Sequence, residues 1–205
     1  MEFDINFTVL AIMLVSLVIA ISLHEMMHAF VGLKLGDTTA QEEGRISINP
    51  LRHIDPFMTI VLPIMTLLLF GAPILAAKPV PFNPDRVKWD EFGAALLAAA
   101  GPFTNLGLAV LGAIVAQAFT GNIDVYNALT IFVSLNVAIF IFNLVPIPPL
   151  DGSRVLYAFA PDGIRSVMAQ IEQFGFFIIF GLILFFEPFR EVLYNLNRAI
   201  SLFLL

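Results

Sequence analysis

The sequence predicts an all-α polytopic membrane protein. The expected form is a helix bundle with about four firm transmembrane helices, a re-entrant element and a small strand-like membrane-associated segment. Three observations carry this. The 205 residues are 59% hydrophobic and only 13% charged, whereas soluble domains sit near half apolar and about a quarter charged. Mean hydropathy is +0.92. The apolar residues gather into long runs separated by short polar or proline-rich stretches.

The first run, residues 5–35, has no charge between Asp4 and Glu25 and exceeds the roughly 20 apolar residues that span a bilayer. The acidic start "MEFDINF" lacks the basic opening of a signal peptide, so this run is expected to remain in the mature protein. The second run, 57–77, is long enough on paper, but Pro63 and the "GAP" at 71–73 interrupt it. The third run, 92–119, contains "GPFTN", and the fourth, 127–145, meets a proline cluster. The fifth covers 171–186. A last segment, 189–205, mixes Arg190, Glu191 and Arg198 with apolar residues, as a surface-lying helix or half of a hairpin does. Between runs one and two, "GRISIN" alternates around Ile46 and Ile48 in a strand-like way. Residues 77–86, "AKPVPFNPDR", are proline-rich and extended. The expected organisation is one membrane domain over 1–205, with its core at about 5–157 and C-terminal helices at about 165–205.

Loop charges set the orientation. The N-terminus and the 121–127 loop carry no Lys or Arg, whereas Lys34, Arg45 and Arg52 follow run one, Lys78, Arg86 and Lys88 follow run two, and Arg154 and Arg165 follow run four. The ends after runs one, two and four are therefore expected on the cytoplasmic side. Run two then starts and finishes on one side, which a re-entrant hairpin satisfies and a crossing does not. Backbone of that kind is tolerated at depth only against protein or a wet cavity. The net charge of −6 offers no basic surface, so no nucleic-acid partner is expected. Cysteine is absent, which removes disulfides and thiolate ligands.

The chemistry begins at "SLHEMMHAF", residues 22–30. Residues four apart share a helix face, so His24 and His28 aim at one point with Glu25 beside them. H-E-x-x-H is an arrangement that holds zinc with the Glu as general base. The pair lies roughly 9–15 Å from the helix end near Lys34, at about 1.5 Å per residue. The bland alternative is two histidines hydrogen-bonded in a bundle. An ionisable group in the bilayer costs about 2.5–3.5 kcal/mol on insertion scales, and three together need something that stabilises them, as a divalent cation does.

A catalytic zinc takes three protein ligands and keeps one position open. Asp151, in "FNLVPIPPLDGSR", is the best candidate for the third, because it follows a full membrane run and lies in the depth zone of His24. Pro146, Pro148 and Pro149 cannot continue a helix and turn the chain back, and Gly152 permits a tight turn or a close approach. An ordinary Asp-Gly surface turn is the alternative. Asn143, in the last turn of run four, is placed either to donate to a developing oxyanion or to cap the helix. His53, beside Asp55 in a polar loop, reads as a local hydrogen-bond partner before a ligand. Residues 98–109, "AAAGPFTNLGLA", read as close helix packing, with Asn105 tying helices together or, as the second choice, orienting a ligand.

Together "HEMMH", "GPFTN" and "NLVPIPPLDG", in that order and each on a membrane run, resemble the site-2 protease family of intramembrane zinc metalloproteases. "GRISINPLRHIDP" and "AKPVPFNP" are similar to stretches of the short prokaryotic members, which have no PDZ domain. The resemblance covers roughly residues 20–157 and implies one zinc per chain on His24, His28 and Asp151. It further implies Glu25 as the base, Asn143 assisting, and a multi-pass protein of a prokaryotic cell membrane with its active site towards the cytoplasm. The implied partners are the lipid bilayer and a membrane-protein substrate cut in or near its transmembrane helix. Two other classes stay open beside it. A metal or proton transporter should show paired broken helices in two halves, and no internal repeat is visible. An inactive metal-stabilised scaffold predicts no dependence on Glu25. Oligomeric state is not legible.

Overall fold

The structure, a computed structural model, describes residues 7–53 and 80–205. The expected re-entrant element at 57–77 lies outside the described residues. In chain order the helices are α1 (Phe7–Lys34), the single turn α2 (Thr39–Glu42), α3 (Asp90–Ala118), α4 (Ile123–Asn143), α5 (Asp151–Phe159), α6 (Asp162–Glu172), α7 (Gly175–Phe185) and α8 (Glu187–Leu204). The chain is an all-α polytopic membrane protein. Helices α1, α3 and α4 are each long and apolar enough to cross a bilayer, and α6 with α7 makes a fourth span if the bent pair is one.

The bundle is built with its small and polar residues inward. Along α1 the buried positions include Ser16, Ala20, His24, His28 and Gly32, spaced by four and therefore on one stripe. Leu10, Met13, Leu14, Val15, Val18 and Ile19 form the exposed face that lipid covers. Lipid is as apolar as leucine, so helix association in a membrane relies on close approach and interhelical hydrogen bonds. Helix α3 supplies the first with buried Ala94, Ala98, Gly101, Ala109, Gly112 and Ala113. It packs against α1, α4 and α5, while α8 lies against α4. Ala109, Ala113, Val133 and Val137 form the centre of the α3–α4 contact, with Ile200, Leu204 and Leu205 of the C-terminal segment closing over it.

The basic end is tied together by backbone. Lys88 N–H donates to the Leu35 carbonyl at 2.8 Å, and Asn83 N–H donates to Asp37 Oδ2 at 2.7 Å. Burial pushes the Asp37 carboxyl up, but the Thr39 hydroxyl and the N–H groups of Asn83 and Thr39 outweigh it and hold the carboxyl below its ordinary range. Arg45 donates to the Arg52 carbonyl. The chain thus leaves the described residues at 53 and returns at 80 on the same end of α1.

Two expectations change here, and a third is narrowed. Residues 44–49 form no strand; their N–H groups and side chains serve local turns, with Ser47 N–H on the Arg45 carbonyl and Asn49 accepting from Leu51. A strand needs a partner ladder, and Ile48 is instead 72% exposed. The fifth run does not continue as one straight helix: α6 and α7 meet at 79°. At the bend Glu172 pairs with Arg154 at 3.3 Å, and Gly175 packs so closely on the Pro148 carbonyl that a Cβ there would overlap it. Helix α7 has 11 residues, about 16 Å at 1.5 Å each, so it cannot cross a hydrocarbon core of roughly 30 Å alone. The last segment is an amphipathic helix docked on α4 by Ser134 Oγ to Asn197 Oδ1, 3.0 Å, and Asn197 Nδ2 to the Ser134 carbonyl, 2.9 Å.

Candidate metal centre

His24 and His28 face inward from α1, and Asp151 opens α5 directly opposite them. Their ligating atoms all lie within 4.8 Å of one another. Asp151 Oδ2 is 3.2 Å from His24 Nε2 and 3.4 Å from His28 Nε2, and the two Nε2 atoms are 3.0 Å apart. The close approach of α5 depends on Gly152, whose hypothetical Cβ would fall on the Leu144 and Val145 carbonyls at the end of α4. The proline cluster ends α4 and brings the next helix back under it, so the Asp-Gly pair is a docking feature rather than a surface turn.

The second nitrogen of each imidazole fixes its tautomer. His28 Nδ1 lies 2.7 Å from the Leu97 carbonyl, which can only accept, so Nδ1 carries the proton. His24 Nδ1 lies 2.6 Å from Asn105 Oδ1. The amide orientation of Asn105 follows from its Nδ2, which donates to Asn136 Oδ1 at 3.0 Å and to the Ala20 carbonyl at 3.3 Å. Asn136 Nδ2 in turn donates to the Phe132 carbonyl at 2.9 Å. A buried chain of amides therefore runs from α4 through α3 to the ligand on α1, and both Asn105 and Asn136 are fully inaccessible. With both Nδ1 atoms donating, Nε2 is the atom each ring has left to offer a cation. Asp151 Oδ2, buried, has no hydrogen bond of its own among the described residues. Three ligand atoms thus converge, which is the donor set of a divalent cation such as zinc. Gly101 leaves the space: a Cβ there would fall 2.5 Å from His24 Nε2 and closer still to His28 Nε2.

The three groups open on a cavity of about 930 Å³, also lined by Glu25, Asn143, Ile21, Leu97, Ile139 and Tyr194. Glu25 is 9% exposed and sits between the ligands in sequence, on the cavity rather than in the ligand set. Asn143 reaches the same cavity, with one N–H bonded to the Ile139 carbonyl one turn back at 3.1 Å.

The structure brings His24, His28 and Asp151 together and puts Glu25 on the same cavity. His53 lies outside the ligand group and donates Nε2–H to the Ser47 carbonyl at 2.7 Å. Asn105 does both things its position offers: its Nδ2 ties α3 to α1 and α4, and its Oδ1 accepts from His24. Asn136 and the metal-facing role of Gly101 were missed. The one available signal for Asn136 was an uncharged polar residue in the middle of a membrane run. Zinc content of purified variants checks this arrangement. Asp151→Ala is expected to lose the metal as severely as His24→Ala, Asn105→Ala to weaken it by about 10–100-fold, and His53→Ala to leave it unchanged.

Three relatives, each named "Putative zinc metalloprotease", match most of the chain. YwhC of Bacillus subtilis is 35% identical over 187 residues, 86% of this chain and 80% of that protein. MJ0611 of Methanocaldococcus jannaschii is 32% identical over 154 residues, 74% of this chain and 73% of that protein. Rip2 of Mycobacterium tuberculosis (strain H37Rv) is 27% identical over 174 residues, 83% of this chain and 64% of that protein. No protein-family profile matches the chain, and no solved structure does.

Proposed function

The chain belongs to the site-2-protease-like family of zinc metalloproteases that includes YwhC and MJ0611, and from that membership we propose that it is an intramembrane endopeptidase that hydrolyses peptide bonds in or near the transmembrane helix of a membrane-protein substrate. The observation that carries this reading is the convergence of His24 Nε2, His28 Nε2 and Asp151 Oδ2 on a cavity that Glu25 also lines.

When bound, one zinc ion on these three residues supplies a Lewis acid that acidifies water and polarises a carbonyl. Glu25 takes the proton from the attacking water and passes it to the leaving amine. Asn143 uses its remaining N–H to donate to the oxyanion that develops at the scissile carbonyl. Asn105 and the Leu97 carbonyl hold the imidazoles in the tautomer that keeps Nε2 unprotonated. The substrate's own helix must unwind locally, because its carbonyls are otherwise paired within the helix. Incubating the purified protein with a single-span substrate, with and without a zinc chelator, tests the reading. Chelator-sensitive cleavage within the span supports it, and zinc-loaded protein inert to a panel of such substrates would reject it.

The orientation belongs to the same proposal: the catalytic cavity opens towards the cytoplasm, and Leu51 and Asp85 stand on that side of the membrane. Leu51, 74% exposed, and the exposed Asp85 flank residues 57–77. Cysteines placed at these two positions in the cysteine-free chain should both react with an impermeant reagent from the cytoplasmic side. Labelling from opposite faces would overturn this orientation.

A further inference from the structure

We propose that a second, smaller cavity beside the catalytic one is a pocket for a basic side chain, Lys or Arg, of the bound polypeptide, recognised by Glu91. This deepens the proteolytic reading and rests on it and on its orientation. The smaller cavity measures about 220 Å³, room for one side chain, and lies where the first turn of α3 meets α5 and α6. It shares Phe82 and Arg154 with the catalytic cavity, so those two residues form a common wall.

The charges of this cavity are unbalanced. Glu91 and Glu172 line it together with Arg154. The guanidinium of Arg154 is already committed, pairing with Glu172 at 3.3 Å and lying over the Phe82 ring at 4.7 Å from its centroid. Glu91 is half-buried and pairs with no cation among the described residues. Two carboxylates against one guanidinium leave an excess negative charge, so the group that completes the pocket is a cation. An acidic side chain would have to displace Glu172 from Arg154 and still face Glu91.

Position supports the same choice. Arg154 follows Asp151 by three residues on α5, one turn or about 4.5 Å along the axis. At about 3.3–3.6 Å per extended residue, that offset places the pocket to receive a side chain roughly one or two positions from the cleaved bond. The pocket sits at the Lys- and Arg-bearing end of the bundle, where the α1 terminus and the segment before α3 are joined through Leu35 and Lys88. Transmembrane segments carry their own Lys and Arg at the cytoplasmic flank, so a segment bound here offers a cation at that depth.

The experiment uses zinc-loaded protein in detergent and a fluorescent single-span peptide. Lys or Gln is placed at each of the first three positions to the cytoplasmic side of the bond. Affinity is read by anisotropy and cleavage in parallel. Wild type is expected to bind the Lys peptide about five-fold more tightly at one register, the upper range for a partly exposed ion pair. Glu91→Gln should abolish that preference with zinc content unchanged, and Glu91→Arg should turn it towards a Glu peptide. Equal affinity for Lys and Gln at every register, or a Lys preference that survives Glu91→Gln, overturns the pocket. A Lys preference that depends on Glu91 without any cleavage supports the pocket and overturns the proteolytic reading instead.

Discussion

Replacing Glu25 by Gln is expected to leave zinc in place and to lower the rate of hydrolysis by roughly 10²–10⁴-fold, the worth of a positioned general base. The substitution keeps the size and shape of the side chain. Glu25 is outside the ligand group, and the atoms that hold the metal come from His24, His28 and Asp151. The imidazole tautomers depend on Asn105 and Leu97 rather than on Glu25. Metal content should therefore match wild type. An amide cannot accept a proton from attacking water, nor return one to the leaving amine, so both halves of the reaction lose their proton carrier. The cavity is otherwise unchanged, and substrate should still enter and remain bound. The measurement is cleavage rate and zinc content on one preparation. Near wild-type cleavage with full zinc would sink the role given to Glu25, and it would equally sink the mechanism built around it.

Adding a single methyl group at Gly101 is expected to remove the metal altogether. Alanine is a good helix former, better than glycine by about 1 kcal/mol in a helix interior, so on local grounds Gly101→Ala should stabilise α3. The tertiary structure reverses the sign at the centre. The new Cβ would fall 2.5 Å from His24 Nε2, well inside carbon–nitrogen contact and close to where the cation belongs. Helix α3 is held on both flanks, by His28 Nδ1 on the Leu97 carbonyl and by the Asn105 bonds to His24 and Asn136. It cannot shift without breaking the bonds that orient the ligands. Zinc content should fall to the level of His24→Ala while the protein still inserts and keeps its helical circular dichroism. Gly107, where a Cβ would meet nothing within 4 Å, is the control: Gly107→Ala should bind zinc normally. Full occupancy in Gly101→Ala would mean that α3 stands further from the metal than this geometry has it.

Much of the site was legible because its chemistry is local. H-E-x-x-H puts two imidazoles on one helix face whatever surrounds it, and a proline cluster followed by Asp-Gly announces a chain reversal carrying a carboxylate. The second tier was not legible. Asn105 and Asn136 are 31 residues apart in sequence and meet by one hydrogen bond. Nothing in "GPFTN" distinguishes an asparagine that ties helices from one that orients a ligand. The strand-like reading of 44–49 shows the opposite error. Alternation of Ile46 and Ile48 is a period, and a period makes a strand only where a partner supplies the other half of the ladder.

The sequence by itself determined that the chain lives in a bilayer, which runs are apolar enough to cross it, and that two histidines share one helix face with a glutamate beside them. Those properties follow from composition and from the 3.6-residue period, which act within one helix. Only the tertiary structure decided that Asp151 Oδ2 stands opposite the two Nε2 atoms, that α3 approaches near enough to require glycine at 101, and that the fifth run bends where Glu172 meets Arg154. Those are distances between helices far apart in the chain. In a membrane they are set by small-residue contact and buried hydrogen bonds, and neither has a period that a sequence displays.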